Sequence, residues 1–212
     1  VSKLFTGIIE EIGHVKAIRR KPQALELTIS CSVVLEDVKR GDSIAVNGVC
    51  LTVSEFDSRQ FIADVIPETV QSSTMADLRT GSPVNLERAM AANGRFGGHF
   101  VNGHIDGIGT IRAVRSDSIA VTKTIEVDPS LMKYMMLKGS VAIDGTSLTI
   151  FDVGRTTISI SLIPTTQEDS LLGRKGIGDK VNIECDLLAK YTERTMEAKP
   201  GLTRGFLAEH GF

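Results

Sequence analysis

The chain is written twice. Ser43-Ile-Ala-Val-Asn-Gly-Val-Cys-Leu-Thr-Val53 aligns with Ser140-Val-Ala-Ile-Asp-Gly-Thr-Ser-Leu-Thr-Ile150 at an offset of 97 residues, with five of eleven positions identical. The same offset lays Ile66-Pro-Glu-Thr69 over Ile163-Pro-Thr-Thr166 and Val84-Asn-Leu-Glu87 over Val181-Asn-Ile-Glu184 without a gap. Upstream, Gly7-Ile-Ile-Glu-Glu-Ile-Gly13 matches Gly103-His-Ile-Asp-Gly-Ile-Gly109 at offset 96. This period is well beyond the roughly 20–50 residues of solenoid repeats. It points instead to a duplicated domain, with one copy from about Phe5 to about Met90 and the other from about Val101 to about Asp186.

Each copy reads as all-β. Asn47-Gly48 and Asp144-Gly145 stand between runs of β-branched and small residues, the strongest short-range hairpin signal. Phe61–Ile66 and Thr157–Ile163 are further strands, stopped by Pro67 and Pro164. Gly41-Asp42, Gly81-Ser82 and Gly178-Asp179 mark turns just before strands. Short strands at this spacing predict a small closed barrel in each copy, and the expected fold is all-β, two tandem small Greek-key β-barrels with a C-terminal helix, with units over 1–98 and 99–186. Helical patterning is confined to Pro129–Leu137, a short stretch between Ser72 and Leu78, and Leu187–Ala198, for which Asp186 is a candidate N-cap. This last helix opens the tail 187–212, outside both copies. It is a candidate oligomerisation element, the plainer alternative being a helix packed on its own chain.

Composition narrows the function classes. With a net charge of -2, no basic excess points to nucleic acid, and the absence of Trp with only two Tyr disfavours a base-stacking platform. No apolar run approaches the length of a membrane span, and Val1–Glu11 is too short in apolar residues for a secretory core. Cys31, Cys50 and Cys185 are too few and unpaired in spacing for a disulfide framework or a zinc site, and suit a reducing, cytoplasmic setting.

Six blocks carry a family resemblance: Phe5-Thr-Gly-Ile-Ile-Glu, Asn47-Gly-Val-Cys-Leu-Thr, Asn85-Leu-Glu-Arg-Ala, Gly97-Gly-His-Phe-Val-Asn-Gly-His-Ile, Asp144-Gly-Thr-Ser-Leu-Thr and Leu162-Ile-Pro-Thr-Thr. In this order, across a two-fold repeat, the chain resembles the riboflavin synthases over nearly its whole length. The resemblance implies dismutation of two molecules of 6,7-dimethyl-8-ribityllumazine. One donates a four-carbon unit to the other, giving riboflavin and 5-amino-6-ribitylaminouracil. It implies no metal and no external cofactor. It also implies one pteridine per barrel and a homotrimer whose productive site joins the first barrel of one subunit to the second of a neighbour. Some members associate with lumazine synthase. The family's chains begin Met-Phe-Thr-Gly, whereas Val1-Ser-Lys-Leu precedes Phe5 here.

By the same resemblance, substrate contacts in the first barrel fall on Gly7, Ile8 and Ile9, on Cys50, Leu51 and Thr52, and on Asp64, Val65, Ile66, Pro67, Glu68 and Thr69. In the second they fall on Gly103, His104 and Ile105, on Ser147, Leu148 and Thr149, and on Ser161, Leu162, Ile163, Pro164, Thr165 and Thr166, with Lys138 in addition. Backbone groups at strand ends can read a flat heterocycle edge, and hydroxyls can hold a ribityl chain. The reaction removes a methyl proton and spreads charge into the ring. His104, Ser147, Thr149, Cys50 and Asp186 match the family positions implicated in that work. His104 is the candidate proton shuttle, since imidazole titrates nearest neutrality. Ser147 and Cys50 are candidates for transient addition or for orienting water.

Each residue has a plainer reading. His104 can bond backbone, Cys50 can be a small core residue, Asp186 can cap a helix, Thr52 and Thr149 can be ordinary strand threonines, and His99 can be structural. The principal rival function is a non-catalytic lumazine carrier, which is free to lose its second pocket. A flavin reductase needs a nicotinamide-binding α/β domain that the sequence lacks.

Overall fold

The computed structural model describes residues 4–117 and 119–197. The first barrel is formed by β1 (Glu11–Lys21), β2 (Ala24–Ser30), β3 (Ser43–Val46), β4 (Val49–Phe56), β5 (Gln60–Val65) and β6 (Pro83–Arg88), closed in the order β1-β2-β5-β4-β3-β6. The second repeats it with β7 (Gly107–Asp117), β8 (Ala120–Glu126), β9 (Ser140–Ile143), β10 (Thr146–Val153), β11 (Thr157–Leu162) and β12 (Lys180–Cys185). All pairings within the barrels are antiparallel.

The duplication extends to irregularities. The register slips between Val15 and Ala17 in β1 and between Ile111 and Ala113 in β7. It slips again between Val53 and Glu55 in β4 and between Ile150 and Asp152 in β10. Such bulges bend a strand and raise its twist, which is how a six-stranded sheet turns back on itself. The hairpin tips have φ 47° and 80° at Asn47-Gly48 and 45° and 80° at Asp144-Gly145. These left-handed pairs match the twist of the flanking strands.

The prolines do more than end strands. Pro67 and Pro164 also open two short helices, α1 (Pro67–Ser72) and α2 (Pro164–Asp169), each with proline in the first turn. A proline has no N–H to lose there, and its φ is preset for the helix. The sequence patterning read both only as strand stops. The segment expected to be helical over 129–137 is a 3-10 helix ending at Tyr134, and the stretch before Leu78 is a 3-10 helix over Thr74–Asp77. The C-terminal helix, α3, spans Leu187–Glu197; Ala198 and the rest of the tail lie outside the described residues.

Each barrel has its own apolar core, and a third small cluster of Phe5, Ala45, Val101 and Ala142 lies between them. Beside it runs a buried polar network with two-fold pseudosymmetry. The Asn85 side-chain amide donates to the Asp144 carbonyl (2.9 Å), and that of Asn182 donates to the Asn47 carbonyl (2.8 Å). Their amide oxygens accept from the N–H groups of Leu171 (2.8 Å) and Thr74 (2.7 Å). The hairpin tips meet so closely that a Cβ on Gly48 would lie 2.6 Å from the Gly145 nitrogen.

Candidate active site

The strands place the predicted residues by alternation. Leu51, Val65, Leu148 and Leu162 point into the barrel cores, so only their backbone groups can face a ligand. Cys50, Thr52, Asp64, Ser147, Thr149 and Ser161 take the opposite face. Val53 pairs with Ala63 and Ile150 with Ile160. Antiparallel pairing therefore runs Asp64–Ile66 beside Cys50–Thr52 and Ser161–Ile163 beside Ser147–Thr149. Pro67, Glu68 and Thr69 follow in α1, and Pro164, Thr165 and Thr166 in α2.

The glycine segments depart from the expected partition. Sequence order groups Gly7 with Cys50, and Gly103 with Ser147; the structure exchanges them. The Ser147 N–H donates to the Gly7 carbonyl (2.8 Å), and the Cys50 N–H donates to the Gly103 carbonyl (2.9 Å). Ile105 accordingly packs on the first barrel's core. The exchange starts where Phe5 and Val101 form an antiparallel bridge, with reciprocal bonds of 2.8 and 3.2 Å. Each segment leads into one barrel but leans on the other. One candidate pocket thus gathers Gly7–Ile9, Ser147–Thr149 and Ser161–Thr166. Its twin gathers Gly103–Ile105, Cys50–Thr52 and Asp64–Thr69.

Both glycines are required by geometry. Gly7 and Gly103 have φ of 79° and 76°. A Cβ on Gly7 would sit 2.6 Å from Ser147 Cβ, and one on Gly103 would sit 2.5 Å from Cys50 Cβ.

His104 is exposed and follows Gly103 on the Cys50 side, not beside Ser147 as sequence order implies. Asp186 caps α3, accepting the Leu188 N–H at 2.9 Å. Lys138 is exposed on the turn before β9, with φ 67° and its N–H on the Ile150 carbonyl (2.8 Å). Among the described residues no cluster of His, Cys, Asp or Glu is arranged to hold a metal ion. No helix among them is long and apolar enough to cross a membrane.

Three further side chains meet these segments; the sequence leaves Glu87 and Glu184 without a role and reads His99 as structural. Glu87 accepts the Thr6 and Gly7 N–H groups at 2.7 and 3.1 Å. Its counterpart Glu184 accepts those of Asn102 and Gly103 at 2.7 and 2.9 Å. Burial pushes both carboxyls up to about 7, against the downward pull of these hydrogen bonds. Their signal was present, since glutamate closes both Val-Asn-Leu-Glu and Val-Asn-Ile-Glu. The third, His99, places Nδ1 2.7 Å from Ser147 Oγ. A cavity of about 790 Å³ is lined by Leu4, Thr6, Lys39, Glu87, Arg88 and Arg95, so it adjoins the Gly7 segment through Thr6 and Glu87.

The lumazine binding domain model matches residues 6–89 and again 102–186. Riboflavin synthase of Bacillus subtilis (strain 168) is 52% identical, covering 99% of this chain and 100% of its own. The chain belongs to the riboflavin synthase family. That of Bacillus amyloliquefaciens is 46% identical, with the same coverage. Among solved structures, LumP complexed with 6,7-dimethyl-8-(1'-D-ribityl) lumazine superposes with a TM-score of 0.76 at 25% identity, covering 85% of this chain and 98% of that one. A shared fold does not by itself fix what a chain does with a bound lumazine, so the residues of the candidate pockets carry that question.

Proposed function

We propose that the chain converts two molecules of 6,7-dimethyl-8-ribityllumazine into riboflavin and 5-amino-6-(D-ribitylamino)uracil, passing a four-carbon unit between them without metal or external cofactor. The observation that carries this reading is a pair of pseudo-equivalent contacts, the Ser147 N–H on the Gly7 carbonyl and the Cys50 N–H on the Gly103 carbonyl. Each joins one hairpin strand to the glycine segment that crosses from the other repeat. A reaction between two copies of one substrate needs two similar sites. Holding both rings replaces a second-order encounter with a positioned one. Units 1–98 and 99–186 each bring the strands of one pocket.

The twins differ where donor and acceptor must differ: Cys50 opposes Ser147, Ile8 opposes His104 and Glu68 opposes Thr165. His104, beside Cys50, serves as the proton shuttle, Ser147 and Cys50 address the ring or a water on it, and Thr149 and Ser161 hold polar substituents. Asp186 contributes its charge near His99. Both pockets lie on outer barrel faces, which suits closure by a neighbouring subunit in a homotrimer. Helix α3 supports that assembly. Lys190 ties it to Asp106 (2.5 Å) and Glu193 ties it to Lys133 (2.5 Å), while Leu188, Tyr191 and Met196 stay exposed. A cytoplasmic setting and docking to lumazine synthase complete the reading.

The deciding experiment is incubation with 6,7-dimethyl-8-ribityllumazine alone, followed by riboflavin absorbance and fluorescence. Riboflavin formation that slows in Ser147→Ala and His104→Ala supports the enzyme. Tight binding without turnover makes the chain a lumazine carrier.

A further inference from the structure

His99 lies outside both matched copies, in the connection between the barrels. That connection can approach the Ser147 pocket because Gly98 has no side chain. A Cβ there would come 2.0 Å from the Thr6 carbonyl oxygen and 2.7 Å from Ser147 Cβ. The His99 N–H then donates to the Thr6 carbonyl (3.1 Å), and the ring turns inward until only 9% of the residue is exposed. Nδ1 comes to rest 2.7 Å from Ser147 Oγ. Nε2 is buried and has no hydrogen-bond partner among the described residues.

A buried imidazole that satisfies only one nitrogen is costly to keep for packing alone. Its one partner is the hydroxyl that faces the pocket. A serine on the outer face of a strand samples its staggered rotamers. A fixed ring nitrogen at hydrogen-bond distance selects one of them and sets where the hydroxyl proton points. Burial keeps the ring below the ordinary histidine range, with the charge of Asp186 opposing, so the ring is a neutral partner with one donor and one acceptor nitrogen. The duplication provides no second copy of this device. The offset that carries Gly103 onto Gly7 carries His99 onto Lys3, and Ser147 falls on Cys50.

We propose that His99 is a positioning residue for Ser147, fixing its hydroxyl in the Gly7–Ser147 pocket and making that pocket chemically unlike its twin. The proposal rests on the reading that this pocket holds one of the two lumazines. An aligned hydroxyl matters most when charge develops in the ring, so the effect falls on turnover more than on binding.

His99→Asn and His99→Gln test it, because an asparagine amide reaches the place of Nδ1 and a glutamine amide overshoots it. With saturating lumazine, His99→Gln is expected to lower kcat about tenfold, the scale of one lost positioning hydrogen bond, and His99→Asn to recover most of that. The lumazine Kd from fluorescence titration should move by less than about twofold in both, as expected for a group that acts in the transition state. Combining His99→Gln with Ser147→Ala should be no slower than Ser147→Ala alone. Equal loss in the Asn and Gln variants, or losses that multiply in the double variant, overturns the proposal. If the parent protein makes no riboflavin, the functional reading fails, and histidine-selective 15N NMR then judges the pair. An Nδ1 resonance that shifts on Ser147→Ala upholds the hydrogen bond, and one that stays overturns it.

Discussion

The carbonyl of Gly7, in the first repeat, accepts the N–H of Ser147, in the second, at 2.8 Å, and Gly103 returns the same bond to Cys50 at 2.9 Å. This exchange joins the barrels at the two points where substrate is proposed to bind. It places pocket integrity on two glycines.

Gly7→Ala and Gly103→Ala are therefore expected to do more than add a methyl group. Each forces a left-handed φ on alanine and drives a Cβ to within 2.6 Å or less of the opposite hairpin strand. The expected cost is about 2 kcal/mol or more, since backbone strain alone is worth roughly 1–3 kcal/mol. Urea unfolding reads the stability and the riboflavin assay reads the pocket. A loss below about 0.5 kcal/mol in both variants would show that the segments yield without strain.

The buried glutamates give a pH signature. Glu87 and Glu184 have carboxyls raised from an ordinary value near 4.5 to about 7, so the folded protein holds their protons more tightly than the unfolded chain. Their contribution to stability is fully present below about pH 4.5 and is lost as pH rises through about 7. Melting curves between about pH 5 and 8 should thus slope downward with rising pH. The double variant Glu87→Gln and Glu184→Gln should flatten that slope. An unchanged slope would assign it to other groups.

The asparagine network should behave as a clasp. Asn85→Ala removes a fully buried side chain that bonds the Asp144 carbonyl and the Leu171 N–H. Leaving two buried backbone groups unpaired costs about 3 kcal/mol. Asn182→Ala should cost a similar amount, because it releases the Asn47 carbonyl and the Thr74 N–H. Denaturant unfolding of either variant tests this. Losses under about 1 kcal/mol would mean that water replaces the amide.

Removal of residues 187–212 should leave both barrels folded and abolish the proposed trimer, because it takes away the exposed Leu188, Tyr191 and Met196 of α3. Sedimentation velocity reads the assembly and circular dichroism the fold. A truncated chain that still sediments as a trimer would move the interface elsewhere.

The sequence by itself determined the duplication, the hairpins and the strands that carry the proposed pockets. These are local quantities: identity at a constant offset, Asn-Gly and Asp-Gly turns, and alternation with period two. Alternation also meant that Leu51 and Leu148 had to enter the cores if Cys50, Thr52, Ser147 and Thr149 faced outward. It could not reveal that Pro67 and Pro164 open helices, because proline ends a strand and starts a helix with the same fixed φ.

Only the tertiary structure decided which glycine segment serves which pocket. Sequence order puts Gly7 with Cys50, but a strand that leads into one barrel can lend its carbonyls to another whenever the two barrels touch. Here the Phe5–Val101 bridge brings them together. For the same reason His99 carried no repeat signal, and its meaning came from Ser147, 48 residues away in sequence and 2.7 Å away in space. Local pattern fixes which face of a strand a residue takes. The contact between two closed barrels fixes what that face meets.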